Sequence, residues 1–161
     1  MKMLATQTAG LLQRLSKQEE AVEDTARVLA QAAVGEGTIF LAAFGEMKAV
    51  VETALNGAEP LKSSIDWKPD SILTSADRVW ILAPNDEGDE LAGRLNDAGI
   101  PFAMLTGAAR DPVEADAFIS LGISKGLVPT DDGGRTVVPY AIGALFIYHA
   151  VKMILDEMLA E

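Results

Sequence analysis

The sequence predicts an α/β fold, a three-layer sandwich of flavodoxin-like type in which a mainly parallel sheet is flanked by helices. Three observations predict it. Two short and almost wholly apolar runs, residues 38–44 and 79–83, are bounded by glycine, proline or polar residues, as strands buried on both faces are. Helical spacers of about 10 to 15 residues lie between strand patterns, the alternation that builds parallel sheets. Helical patterns also open and close the chain.

Each element has its own local reason. Leu4, Leu11, Leu12 and Leu15 fall near helical spacing, and the polar stretch 16–20 interrupts them before a second helix that carries Ala21, Val22, Val28, Leu29 and Ala32 and stops at Gly35. Thr38-Ile39-Phe40-Leu41-Ala42-Ala43-Phe44 then reads as a buried strand, and residues 46–55 as a helix that stops at Asn56-Gly57. Between residues 58 and 76, Pro60 and Pro69 exclude a long helix, and residues 63–67 suit a short strand at a sheet edge. Val79 to Ala83 repeats the first strand pattern, closed by Pro84, which has no N–H for the ladder.

Asn85 stands where a helix N-cap would, with Asp86, Glu87, Asp89 and Glu90 in the first turns, where the helix dipole favours acids. Leu91, Leu95 and Ala98 supply the apolar side of that helix, and Gly99 ends it. Residues 100–105 form the next strand, ending at Thr106-Gly107, and residues 117–121 another. After a loop rich in Gly and Asp at 130–134, Pro139 suits the first turn of a long last helix. The organisation expected is one domain over residues 1–161, with N-terminal helices in 3–34, an α/β core in 37–121 and a C-terminal helix in 139–159.

Composition narrows the function. Against 13 basic side chains stand 24 acidic ones, a net charge of −11 at pH 7, which argues against nucleic acid and against an anionic membrane surface. The absence of cysteine excludes disulfides, thiolate nucleophiles and Cys-based zinc sites. The first twenty residues hold no long apolar core, so no signal peptide is expected, and the apolar stretch 137–150 is shorter than the ~18 residues a membrane span needs. A cytoplasmic protein is expected.

In open α/β sheets ligands bind beyond the carboxyl ends of the strands. Three loops qualify here: Phe44-Gly45-Glu46, Pro84-Asn85-Asp86-Glu87-Gly88-Asp89 and Thr106-Gly107-Ala108-Ala109. The substrate-binding candidates are therefore Phe44, Gly45, Glu46, Asn85, Asp86, Glu87, Gly88, Thr106 and Gly107. Gly45 and Gly107 allow close backbone approach to a ligand, or equally serve only tight turns.

The run Gly37-Thr38-Ile39-Phe40-Leu41-Ala42-Ala43-Phe44-Gly45, the segment Ala76-Asp77-Arg78-Val79-Trp80-Ile81-Leu82, and Ala98-Gly99-Ile100-Pro101-Phe102 leading to Thr106-Gly107 carry a resemblance. Together with the paired N-terminal helices and the long last helix, they resemble the sugar isomerase (SIS) domain superfamily, and within it small bacterial proteins described as phosphoheptose isomerases. The resemblance implies an SIS-type fold, a sugar phosphate or related carbohydrate derivative as ligand, and a homodimer or higher homo-oligomer through the terminal helices; no cofactor is expected. It also implies a glutamate after the first loop and a histidine on the late helix as the acid–base pair of aldose–ketose isomerisation. Glu52 or Glu59, with His149, are the weak catalytic candidates in comparable regions.

The chain departs from that superfamily in its loops. Glu46 stands where a serine is common, the second loop is acidic, and Thr106 is the only hydroxyl left in the three loops. Hydroxyls donate to a phosphate, whereas carboxylates only accept. Two alternatives follow: a non-catalytic phosphosugar-sensing or regulatory module, and a flavodoxin-like or receiver-like module in which Glu46, Asp86, Glu87 and Asp89 hold Mg²⁺ or Ca²⁺. No resident metal is assigned. Plainer readings are a solvated helix start for the acidic run, surface carboxylates for Glu52 and Glu59, and a hydrogen-bonded structural histidine for His149.

Overall fold

A computed structural model describes residues 1–160, so of the expected domain 1–161 only Glu161 lies outside the described residues. The elements run α1 (Lys2–Leu15), α2 (Glu19–Val34), β1 (Ile39–Ala43), α3 (Lys48–Asn56), β2 (Ser64–Asp66), β3 (Arg78–Ala83), α4 (Asp89–Ala98), β4 (Phe102–Ala108), β5 (Ala117–Ile123), β6 (Val128–Pro129), β7 (Arg135–Thr136) and α5 (Tyr140–Ala160). Five strands form one all-parallel sheet in the order β2-β1-β3-β4-β5, and β6 and β7 form a separate antiparallel hairpin.

Alternation along the strands sorts side chains between two cores. Ile39, Leu41, Trp80, Leu82 and Leu105 face a layer made of α1, α2, α3 and α5. Phe40, Ala42, Val79, Ile81 and Met104 face the other side, where α4 is the single helix and Trp67, Leu73 and Val113 from irregular segments complete the cover. The flanking of the sheet by helices is thus as expected but uneven. β1, β3 and β4 are buried on both faces and read as continuous apolar runs, whereas edge strand β5 alternates buried and half-exposed residues.

Three details differ from the sequence reading. The N-cap of α4 is Gly88, not Asn85, and residues 85–88 form a turn ahead of the helix. Gly88 is buried, and a Cβ there would lie 2.3 Å from Ile81 Cγ2, so the chain turns into α4 only after passing tightly over β3. The β4–β5 and β2–β3 connections contain no helix. The Gly/Asp loop holds the β6–β7 hairpin, whose tip is tied by hydrogen bonds from the Thr130 hydroxyl and the Gly134 N–H to Asp132, which keep the Asp132 carboxyl below the usual carboxylate range.

At the amino ends of the strands, buried Asp77 accepts hydrogen bonds from the N–H groups of Thr38 (2.9 Å) and Thr74 (2.7 Å) and from the Thr74 hydroxyl (3.1 Å). One carboxylate thereby fixes the starts of β1 and β3 side by side. The loops at their other ends inherit that register.

Candidate functional site

The sheet has one switch point. From β1 the chain leaves through α3 toward β2, and from β3 it leaves through α4 in the opposite direction toward β4. A crevice is expected where such neighbouring strands diverge. Here buried Pro84 lies beside exposed Gly45, where a Cβ would sit 3.4 Å from Pro84 Cγ.

The second loop is closed by its own contacts. The Asn85 N–H donates to Glu87 Oε1 at 2.7 Å, and the Asp89 N–H donates to the Asp86 carbonyl at 3.1 Å. Arg110 grips Asp89 with two hydrogen bonds of 2.9 and 3.1 Å, which raise the Arg110 pKa, and also reaches the Asn85 carbonyl. Asn85, Asp86 and Glu87 are exposed. Among the described residues no group of three or more His, Asp or Glu side chains is placed to hold a metal ion.

The third loop is closed as well. Thr106 is fully buried, and its hydroxyl donates to the Ala108 carbonyl at 3.3 Å. Gly107 is also buried, and a Cβ there would lie 2.5 Å from Tyr140 Cδ1 and 3.1 Å from Met47 Cε. The missing side chain at 107 makes room for the first residue of α5, a packing role that its position after a strand does not announce.

The first loop is open. Phe44 is extended and its N–H donates to the Leu82 carbonyl at 2.9 Å; Gly45 then turns through φ +56° and starts a single 3₁₀ turn, Gly45–Met47, that runs into α3. A left-handed φ suits glycine at this exposed position. Over this loop and the exit of β2 lies a cavity of about 480 Å³, walled by Phe44, Trp67 and Val51 and carrying Lys48, Glu52, Asp66 and Lys68 at its polar parts. Trp67 is half-buried, tied to β1 by its N–H on the Leu41 carbonyl (2.9 Å), with its ring centroid 6.4 Å from that of Phe44.

Charge in this cavity is partly neutralised. Lys68 donates to Asp66 at 2.8 Å, an exposed pair that raises the Lys68 pKa. Glu52 accepts from the Asn56 side-chain amide at 3.1 Å. Lys48 has no carboxylate partner within 4.0 Å among the described residues. As the first residue of α3 it sits at the positive end of the helix dipole, where a cation is disfavoured and an anion is attracted.

Of the sequence-derived candidates, Phe44, Gly45 and Glu52 line this cavity and Glu46 lies in the same loop; Asn85, Asp86, Glu87, Gly88, Thr106 and Gly107 do not line it. Glu59 is exposed between α3 and β2, at the opposite end of the strands, where its charge acts on Tyr148. His149 is exposed midway along α5, with its ring edge-on to Tyr148 at 5.2 Å. It is neither beside the cavity nor the hydrogen-bonded core histidine expected. Lys48, Asp66, Trp67 and Lys68 escaped the sequence reading, although a lysine in a helix's first turn and a tryptophan just past a strand were available signals.

These features define an open, parallel α/β protein with a cavity at the carboxyl ends of its first two sheet strands. The chain belongs to the family described as "Domain of unknown function (DUF2529)", which matches residues 1–159. It is 32% identical over 171 aligned positions to "Uncharacterized protein YwjG" of Bacillus subtilis strain 168, with 100% of this chain and 98% of that protein covered. Its fold is similar to the crystal structure of a Listeria monocytogenes protein described as a "putative sugar-phosphate isomerase", with TM-score 0.68, 19% identity, and coverage of 96% of this chain and 86% of that one. The five-stranded parallel sheet flanked by helices is thus a sugar-isomerase-like fold.

Proposed function

We propose that the protein binds a sugar phosphate or a related carbohydrate derivative in the cavity over the first loop. The observation that carries this reading is the juxtaposition, in one cavity, of an aromatic wall with an unpaired cation at a helix start: Phe44 and Trp67 beside Lys48. A sugar's C–H face packs on an aromatic ring, while its phosphate is drawn to the ammonium and to the positive end of the helix dipole. Asp66 and Glu52 accept from sugar hydroxyls. Lys48 and the helix start take the place of the hydroxyl-rich cradle that the loops lack. The likeness to a described sugar-phosphate isomerase supports the same ligand class.

Glu52 favours a second reading, aldose–ketose isomerisation. It lines the cavity, and moving a proton between neighbouring sugar carbons requires a base within hydrogen-bond reach. His149 and Glu59 lie elsewhere, so a catalytic pair would have to be completed by another group.

The proposed binding unit is a cytoplasmic homodimer joined through α5. That helix is strongly apolar, and Ile142 and Met153 on its outer side are 40% and 66% exposed, beside half-buried Leu145, Phe146, Ala150 and Ile154 and exposed His149 and Asp156. A second copy of this chain would bury that apolar strip.

Thermal-shift measurements against pentose, hexose and heptose phosphates test the binding. The melting temperature should rise with at least one of them, and Lys48→Gln should abolish that rise; no response to any phosphosugar contradicts the proposal. If the protein interconverts aldose and ketose phosphates, Glu52→Gln should lower turnover at least about 100-fold, the scale of a lost general base. Unchanged turnover removes Glu52 from the chemistry.

A further inference from the structure

At the opposite edge of the sheet, where β5 ends, lies a second cavity of about 300 Å³. Its walls come from three separate parts of the chain: α1, the end of β5 with the residues that follow it, and the β6–β7 hairpin with its exit. Into it come Arg14 from the last turn of α1, Lys125 from the loop after β5, and Arg135 from the hairpin. The same lining contains none of the chain's 24 acidic residues. In a protein of net charge −11, that is a strong local inversion of sign.

None of these cations is neutralised by a described residue. The ion pairs of the described chain engage Arg27, Lys68, Arg110 and Lys152 instead. Arg135 is pinned by donating from Nε to the Gly126 carbonyl (2.7 Å) and from Nη2 to the Leu127 carbonyl (2.9 Å), which leaves its remaining N–H donors unassigned. Arg14 complements the dipole of α1, but its guanidinium also lies over Gly122, where a Cβ would come within 3.0 Å of Nη1. Gly122, at φ +65°, therefore supplies both the turn and the space for that guanidinium.

The hairpin's exit is held firmly. Val137, a β-branched residue, sits in the left-handed region at φ +62°, and its carbonyl accepts from the Leu127 N–H at 2.9 Å. The Ser124 hydroxyl and the Gln7 amide add neutral donors around the cations. On the α1 side, Gly10 has no heavy atom within 4 Å of the position its Cβ would take, so the wall there is open.

We propose that this second cavity is a binding site for a compact small molecule bearing two or more negative charges on oxygen. Two guanidinium groups and an ammonium match phosphoryl or carboxylate oxygens, and three cations lining one cavity with no acid among them are stabilised by a shared counter-anion. Binding would join α1 to the β6–β7 hairpin, segments distant in sequence. The site shares no residue with the cavity over the first loop, so it stands independently of the sugar-phosphate reading.

Isothermal titration with pyrophosphate and, separately, with citrate at constant ionic strength tests it, the two probes distinguishing phosphoryl from carboxylate ligands. Saturable binding of either is expected, weakened at least tenfold in Arg14→Gln/Lys125→Gln. Arg135 is left intact because it ties the hairpin. Gly10→Leu keeps every charge but narrows the cavity, and should also weaken binding. The proposal is overturned if neither probe binds saturably, if the double variant binds as the unmodified protein does, or if Lys48→Gln alone removes the binding.

Discussion

At the scale of the residue, the Trp80–Tyr148 pair sets a defined energetic problem. Both side chains are essentially buried, their rings stack at 6.4 Å with 24° between planes, and neither Trp80 Nε1 nor the Tyr148 hydroxyl has a hydrogen-bond partner. Burial, with smaller contributions from Asp156 and Glu59, pushes the Tyr148 pKa up to about 12. A pKa raised in the folded state favours folding fully below the ordinary tyrosine value and loses that contribution as pH climbs toward 12. Tyr148→Phe should therefore stabilise the protein by about 1 kcal/mol at pH 7, by removing an unsatisfied hydroxyl. It should also flatten the loss of stability above about pH 10. Urea unfolding of both proteins at pH 7 and pH 11 reads the two effects; a less stable variant at pH 7 would show that the hydroxyl has found a partner.

Single residues were also where the sequence was hardest to read. Gly45 and Gly107 look alike as glycines after apolar strands, yet Gly45 opens onto a cavity while Gly107 accommodates the Tyr140 ring. The difference lies in α5, a partner more than thirty residues away, and no local pattern carries it. His149 is similarly ambiguous, because apolar Ile142 and Met153 share its exposed side of α5 and so do not mark that side as solvent-facing.

At the scale of the element, strands were legible in proportion to how completely they are buried. β1, β3 and β4 lie between two layers, so their apolar runs need no knowledge of the fold to be recognised. β2 is three residues long and half-exposed at the edge, and the residues after it, which supply Trp67 and Lys68 to the cavity, are held by tertiary contacts instead of a periodic pattern. The start of α4 was misread because an acidic run suits any helix N-terminus, whereas the close passage of Gly88 over Ile81 decides where the helix begins. Within α4, Gly93 is exposed and a Cβ there would meet nothing within 4 Å. Gly93→Ala should accordingly raise stability by about 1 kcal/mol with no change in ligand binding, as read by thermal melting with and without phosphosugar. A destabilised variant would mean that α4 packs against something beyond this chain.

At the scale of the whole molecule, the acid excess acquires a geography. The second loop absorbs part of it in internal contacts, while four cations without an ion pair lie at the two cavities on the carboxyl side of the sheet: Lys48 at one edge, and Arg14, Lys125 and Arg135 at the other. Such a distribution repels bulk polyanions and still admits small anions at defined points. The outer face of α5 belongs to the same scale. Light scattering should give the mass of a dimer, and Met153→Glu with Ile142→Glu should give a folded monomer; a monomeric unmodified protein contradicts pairing through this helix.

Binding of a sugar phosphate over the first loop is read residue by residue in an amide NMR titration with the phosphosugar that gives the largest thermal shift. Saturable shift changes are expected at residues 44–48 and at Trp67, lost in Lys48→Gln. Changes confined to Arg14, residues 122–125 and Arg135, or the absence of any saturable change, would contradict binding over that loop.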